Sequence, residues 1–580
     1  MVLRHFNREF YRKGAVILFF AILGFVYFSK SNTQFGWTKQ EISKTTPITS
    51  DGAWYYAYLP GWFLYKTSKP DFYHKIEHKY SDYNYGVSGK FNKYYTGTAL
   101  CLGPFFGIGH LHALLVGADL DGYSWPYLFW TSIGVICFAC FGFLGLYLVL
   151  QRLRVNTFAN LLTLSGLAYA TSVEFYVVFE LTFAHIFSFC VINWTLFLVL
   201  KWIANPRIQY IWIVAFLVGF ACIIRPTNIL ALVFVFALIW NERKRFWMQV
   251  KSVRTLSLII VLFILPIFFQ MFTVYVQTRL IALNSYTEEG FTNWGNPFFW
   301  EILFSFKKGL FIYAPFLILM LLGIPVLFRK NKVLGWGFSV FFIISTYILA
   351  SWWCWWYGGS LGMRAMIDFF GIYAIPIAFL IHFSAKWIQY ALTCFTIVSG
   401  YVYQVYTYQY NHHILHFSEM DFQKYKKVFL KKDFRFEWMY FMSPDQIPSN
   451  SKPVSPFYQI NIEKDSAYHH PDEVLSTRKS FDIPAVSGQI SIRGKGKIAI
   501  LDAEANPVFI VSYYKQGKVV EEKSVYLGHI PAELNHFEPF TFDIVSSKKY
   551  TEIDSANCSL FYKINQIELS QFGIQFYGIK

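Results

Sequence analysis

Residues 209–240 read QYIWIVAFLVGFACIIRPTNILALVFVFALIW, and Arg225 is the single charged residue in them. A membrane-spanning helix needs roughly 17–25 apolar residues. This stretch is too long for one such helix, and Pro226 breaks the helical ladder inside it. It reads as two spans, 209–224 and 227–240, with Arg225-Pro226 between them.

Similar runs lie on both sides. Near 14–29, 125–150, 157–178, 182–202, 255–280, 310–328, 334–352, 368–384 and 387–406 the chain is apolar enough to span, which makes eleven candidates. Composition agrees: the 580 residues are 55% hydrophobic and only 15% charged, against about 25% charged in soluble domains. The net charge of +16 is unevenly placed, since residues 411–580 hold 20 basic and 20 acidic residues and residues 1–410 hold 31 and 15. A basic excess confined to the apolar part argues against nucleic acid and for cytoplasmic loops facing anionic lipid.

Those loops predict an orientation. Arg4, Arg8, Arg12 and Lys13 precede the first span, and Arg152 with Arg154, Lys201 with Arg207, Arg243–Arg245 and Arg329–Lys332 follow every second one. These connections face the cytoplasm by the positive-inside rule, so the N-terminus is inside and eleven spans leave the C-terminus outside. The first run lacks a small-residue cleavage site and reads as a retained anchor.

Two regions are expected on the far side. The loop 30–124 contains an apolar segment, Thr98–Val116, interrupted by Gly103-Pro104, which suits a helix lying at the interface better than a spanning one. After residue 410, a juxtamembrane segment and Ser/Pro/Asn-rich linker run through 411–456. Residues 457–580 carry seven or eight short alternating runs, punctuated by Gly, Asn and Pro, which predict an external β-sandwich of jelly-roll type. The fold class is therefore a multi-pass α-helical membrane protein, 1–410, with a C-terminal β-sandwich. The eight cysteines form no disulfide framework, and Cys137 with Cys140 lie inside an apolar span as packing residues. His412, His413 and His416 read as an interfacial cluster rather than a zinc site. Glu174 reads as a solvated loop charge.

Chemistry-bearing residues gather on the external segments. Asp51, in Thr49-Ser50-Asp51-Gly52-Ala53-Trp54-Tyr55-Tyr56, reads either as a helix N-cap or as a functional carboxylate near the membrane surface. Arg225 lies in an apolar stretch, where a charge is costly and marks a functional site, unless it snorkels or pairs with a structural carboxylate. Lys93, Lys307, Lys308 and Arg364 are cations for a phosphate or interfacial anchors. Glu180 and His185 form either a satisfied polar pair in the bundle or a site pair. Trp352, Trp353, Trp355, Trp356 and Tyr357 are an aromatic belt or a platform for a sugar or prenyl chain.

The segment around Asp51 resembles the first external loop of the bacterial GT-C glycosyltransferases, integral membrane enzymes that include protein mannosyltransferases and the aminoarabinose transferase of lipid A. Further segments resemble later signatures in the same order. They are Lys93–Ala99 with Pro104–Phe106 and Gly109-His110, then Glu180–His185, Arg225–Asn228, Lys308–Phe311, and Trp356–Ser360 with Arg364. Together they cover roughly 14–385. Many members carry two adjacent acidic residues where this chain has Asp51-Gly52.

The resemblance implies an inverting transferase that moves a sugar from a polyprenyl-phosphate or -diphosphate donor to a protein, lipid or glycan acceptor. It implies a bacterial inner-membrane enzyme acting on the external, periplasmic face. Asp51 and Glu180 are then the catalytic carboxylates. Arg225, Lys93, Lys308, Arg364 and His185 hold the donor phosphate, and Tyr55, Trp356, Tyr357 and His110 the substrates. No cofactor is fixed; a divalent ion, Mg or Mn, would fall to Asp51 and Glu180. The competing readings are an oligosaccharyltransferase for protein O-glycosylation, a flippase for lipid-linked saccharides, and a membrane-anchored sugar sensor. The flippase is disfavoured because no repeated half is visible.

Overall fold

The computed structural model describes residues 2–37, 47–69, 72, 91–282, 286, 289–432, 453, 455, 458–459, 479–482, 489–500, 508–526, 538–549, 553, 555–561 and 567–579. It divides into two compact units, 1–404 and 405–580.

The helical order begins with α1 (Val2–Phe35), α2 (Ser50–Pro60), α3 (Gly97–Val116) and α4 (Trp125–Arg152). It continues through α5 (Thr157–Tyr169), α6 (Val173–Val178), α7 (His185–Ala204), α8 (Ile208–Ile224), α9 (Ala231–Ile239), α10 (Arg243–Val250) and α11 (Val253–Thr278). Short α12 (Phe299–Phe304) and α13 (Leu310–Tyr313) precede α14 (Ile318–Lys330) and α15 (Lys332–Ala350). Then come α16 (Phe370–Phe383), α17 (Lys386–Asn411) and α18 (Phe422–Val428). Among the described residues, seven helical segments are long and apolar enough to cross a membrane: 12–35, 97–116, 125–152, 185–204, 253–278, 332–350 and 364–383. The chain is a membrane protein.

Several expected spans are not single helices. The run 157–178 divides into α5 and α6 at residues 170–172, where the Thr171 hydroxyl donates back to Leu167 O at 2.6 Å. The run 227–240 starts as a 3₁₀ turn, Pro226–Leu230, before α9. The run 310–328 is α13, a 3₁₀ turn at Pro315–Leu317 and α14, with Pro315 at the break. Conversely α3 is one unbroken helix through Pro104. Gly103 has no Cβ, which removes much of the clash that drives a residue preceding proline out of the helical region.

Glu174 is buried, not solvated: Lys30 of α1 pairs with it, and Gln404 Nε2 donates to its Oε2 at 3.0 Å. This cluster ties α1, α6 and α17 together. A buried carboxylate without such partners would be costly.

The second unit contains two four-stranded antiparallel sheets. With β1 (Tyr458–Gln459), β2 (Lys479–Asp482), β3 (Gln489–Ile500), β4 (Val508–Lys515), β5 (Lys518–Tyr526), β6 (Glu538–Lys549), β7 (Ser555–Phe561) and β8 (Ile567–Ile579), their orders are β1-β8-β3-β6 and β2-β7-β4-β5. That is the strand order of a jelly roll. Two of the expected runs, 489–493 and 497–501, are the single strand β3. Phe509, Val511 and Tyr513 alternate inward on β4, as a half-buried strand requires. Tyr458, Phe481 and Phe576 join the two sheets through ring contacts of 5.2–6.2 Å.

Candidate functional site

Three backbone features converge on one cavity. The first is the Arg225-Pro226 break. Arg225 has φ −150° and ψ 128°, the extended conformation a residue preceding proline prefers, so α8 ends there. The second is α2, whose N-cap is Thr49 without a side-chain cap bond, leaving Asp51 one residue inside the helix. Asp51 is therefore not a cap. Gly52 seats this turn against the 179–184 segment: a Cβ there would lie 2.3 Å from Thr182 Oγ1. The third is α3, where a Cβ on Gly97 would lie 2.6 Å from Ile224 N, so α3 starts directly on the end of α8. Ser50 at φ +48° and Tyr357 at φ +56° hold left-handed backbone beside the cavity, a conformation that non-glycine residues adopt at a cost.

The cavity has a volume of about 960 Å³, at the upper end of the ~300–1,000 Å³ range for small-molecule sites. Asp51, Arg364, Arg225 and His185 lie in its wall, with Tyr55, Tyr94 and Tyr357. Most of the remaining wall is apolar, including Ile224, Phe263, Ile267, Phe291, Trp294 and Trp352.

Asp51 is the centre of the polar part. Tyr94 OH donates to its Oδ1 at 2.8 Å, and Arg364 Nη2 donates to its Oδ2 at 2.6 Å. Its side chain remains 26% exposed. Burial works to raise the Asp51 carboxyl, but the Arg364 guanidinium, the Tyr94 hydrogen bond and the Lys93 charge outweigh it and hold it below its usual value. Asp51 is thus ionised across the neutral range. Burial pushes the Tyr55 phenol up to about 12, so it is a neutral donor.

Beside this pair stands a second one. Arg225 Nη1 donates to Asp368 Oδ2 at 2.9 Å. His185 Nδ1 lies 2.9 Å from both Asp368 Oδ1 and Arg225 Nη1. Asp368 is completely buried and Arg225 is 14% exposed. Arg225 pairs with Asp368, not with Glu180, and Asp368 is a candidate-site residue missing from the sequence expectations. Its signal was available: Asp368 is the one acidic residue in the apolar stretch 365–383, where an ionisable side chain marks a site.

Other expected residues lie elsewhere. Glu180 is outside the cavity wall, with Oε2 buried and no hydrogen-bond partner among the described residues. Burial, with Asp51 nearby and Arg364 opposing, pushes its carboxyl up to about 7. Lys308 is buried and donates to Ser360 O and, at 2.6 Å, to Ser360 Oγ. Burial and Arg364 lower its ammonium, and it fixes the 358–362 turn without lining the cavity. Lys93 pairs with Glu289 at 2.6 Å, and only Glu289 reaches the wall. His110 Nδ1 lies 2.6 Å from Tyr127 OH, between α3 and α4 and away from the cavity. Trp356 carries the Lys307 ammonium 4.1 Å from its ring centroid and is likewise outside. The aromatic run therefore divides. Trp352, Trp353 and Tyr357 face the cavity, while Trp355 stacks on Phe298 at 5.6 Å. Tyr94 and Tyr286, which sequence reasoning did not single out, line the cavity beside Asp51.

Among the described residues no three His, Cys, Asp or Glu side chains gather for a divalent ion. Asp51 already holds a guanidinium, and there is no space at Gly52 for the second acidic side chain that many GT-C enzymes carry there.

No family model matches the chain, and no curated protein matches it. Among solved structures it is similar to the cryo-EM structure of the arabinosyltransferase EmbB from Mycobacterium smegmatis, with 10% identity and a TM-score of 0.32. The match covers 82% of this chain and 58% of that one.

Proposed function

We propose that this protein is an inverting glycosyltransferase of the GT-C type, which moves a sugar from a polyprenyl-phosphate donor to an acceptor hydroxyl at the external membrane face. One observation carries the reading. An ionised carboxylate, Asp51, and two guanidiniums, Arg364 and Arg225, line one largely apolar cavity. An anionic headgroup on a long apolar chain matches that division of charge and surface. Soluble nucleotide sugars do not, because they offer nothing for the Ile224–Phe263–Ile267 wall.

The residues then take defined roles. Asp51 accepts the proton of the acceptor hydroxyl, a role that requires the carboxylate to be ionised and within hydrogen-bond reach. The acceptor oxygen bonds to the anomeric carbon from the face opposite the phosphate, the carbon–oxygen bond to phosphate breaks, and configuration inverts. Arg225, fixed by Asp368, is a preorganised charge for the departing phosphate. Trp352 and Tyr357 are surfaces for sugar or isoprene. The volume suits a single sugar or short glycan; transfer of a long oligosaccharide from a diphosphate needs a wider acceptor groove. The acceptor is a protein, lipid or glycan hydroxyl.

The test is donor turnover by purified protein in detergent, with polyprenyl-phosphate and polyprenyl-diphosphate sugars and extracted acceptors. Mass spectrometry follows the released prenyl phosphate. Release by wild type and a fall of about 10²–10⁴-fold in Asp51→Asn supports the proposal. Folded wild type that binds lipid-linked sugars and releases nothing favours a flippase.

A further inference from the structure

Arg225 and Arg364 are not equivalent. Arg225 is held by Asp368, a carboxylate that is fully buried and that no step of the proposed reaction discharges. Arg364 is held by Asp51, whose charge the reaction removes. Its second amino group is poorly used: among the described residues Nη1 reaches only Gly359 O, at 3.4 Å. Arg364 lies in the cavity wall next to Gly358, so its side chain borders the open volume. Phe183 flanks the guanidinium, its ring centroid 5.0 Å from Arg364 Cζ.

We propose that Arg364 shuttles charge between Asp51 and the donor phosphate, neutralising Asp51 in the free protein and turning to the phosphate when donor binds, so that Asp51 takes the acceptor proton only in the donor complex. The proposal rests on the transferase reading and adds to it an order of events.

The balance of charge explains why one guanidinium serves both partners. A polyprenyl-phosphate sugar is a phosphodiester with one negative charge, and Asp51 carries another. As the acceptor oxygen bonds to the anomeric carbon, its proton passes to Asp51 and the bond to phosphate breaks. The products are a neutral Asp51 and a polyprenyl phosphate bearing both charges. One negative charge has moved from the carboxylate to the phosphate, and a guanidinium with two donor edges follows it without leaving the cavity. An ion-paired carboxylate is a weak base, so Asp51 is restrained until the phosphate competes for its partner. The other groups facing Asp51 are Tyr55 on its own helix, Lys93 and Tyr94 from the segment before α3, Glu180 from the turn before α7, and Tyr286. Tyr94 holds the other carboxylate oxygen, Oδ1.

The consequence is proton uptake on donor binding. Free Asp51 sits below the ordinary value of 3.8. Loss of Arg364 leaves burial to raise it, so the complex holds a proton that the free protein lacks at mildly acid pH. The probe is farnesyl methyl phosphate, a diester with one negative charge and no titratable proton. Its binding to the full chain is followed by calorimetry in two buffers of different ionisation enthalpy, at roughly pH 5 and pH 8, where linkage places the contrast. Net uptake at the lower pH that fades at the higher one, and is lost in Asp51→Asn while binding persists, is the expected result. Binding to wild type without uptake shows that Arg364 stays on Asp51 and overturns the shuttle, leaving the base role intact. Uptake that persists in Asp51→Asn moves the proton to another group and also overturns it. Failure of the diester to bind removes the shuttle together with the donor class. Undiminished turnover by Asp51→Asn counts against the base role itself.

Discussion

Among the described residues, Glu180 keeps a carboxylate oxygen buried without a hydrogen-bond partner, and its carboxyl is pushed from 4.5 up to about 7. The sign of the linkage follows. Between those values the folded protein holds a proton that the unfolded chain has lost, so stability falls as pH rises from about 4.5 to 7 and stays low above it. The shift corresponds to a cost on the order of 3 kcal/mol at pH 8. Glu180→Gln removes the ionisation, so its melting temperature in detergent is expected to exceed that of wild type at pH 8 and to match it near pH 5. Equal pH profiles for the two proteins contradict this. Asp51, Arg225 and Arg364 were legible in the sequence because each stands out by charge against its surroundings. Lys308 and His110 look the same in sequence, yet short-range partners, Ser360 and Tyr127, take them away from the cavity. Nothing in residue type foretells which neighbour a cation finds.

Among elements, the Arg225-Pro226 break was readable because it is local: proline alone ends α8 and turns the arginine toward the cavity. The division of α5 from α6 falls at residues 170–172 without a proline to mark it, and the apolar run conceals it. The contact of α2 with the 179–184 turn was also concealed, and it makes a specific prediction. Gly52→Ala places a methyl 2.3 Å from Thr182 Oγ1, so α2 must shift and carry Asp51 away from Arg364 and Tyr94. The variant is expected to lose about 1–3 kcal/mol of stability, the usual range for overpacking, and most of its turnover. Gly52→Ala with Thr182→Ala is expected to recover both, because Thr182 Oγ1 is buried without a partner and its removal breaks no hydrogen bond among the described residues. A double-mutant cycle on melting temperature and turnover measures the coupling. Additive losses contradict the contact.

At the scale of the whole molecule, α3 decides the topology. Its length and apolarity permit a crossing, and a crossing there would add a twelfth span to the eleven expected and reverse the side on which the chain ends. Its neighbours argue otherwise. Phe105 meets Phe138, a Cβ on Gly109 would meet Tyr127 Cα, and His112 lies against Trp125 and Trp130. All of these belong to the first half of α4, whereas α7 meets α4 further along, where a Cβ on Gly142 would lie 3.0 Å from Cys190 Cα and Trp194 Nε1 donates to Phe141 O at 3.0 Å. The basic residues Arg152 and Arg154 lie at the opposite end of α4. Leu111, Leu114 and Leu115 are exposed along α3 while Gly109 and Ala113 are buried, as in a helix that rests one face in lipid and the other on protein. The loop after α3 also returns to the elements after Asp51: Tyr56 OH donates to Gly122 O at 2.6 Å and Tyr65 OH to Asp121 O at 3.2 Å. Single cysteines at Lys66, Asp119 and Lys244, in a background lacking the exposed Cys137 and Cys394, test this with an impermeant maleimide on sealed membranes. Positions 66 and 119 are expected to label from the same side and position 244 from the other. Labelling of 66 and 119 from opposite sides would make α3 a span and, with the eleven others, place the residues following α17 on the same side as the N-terminus.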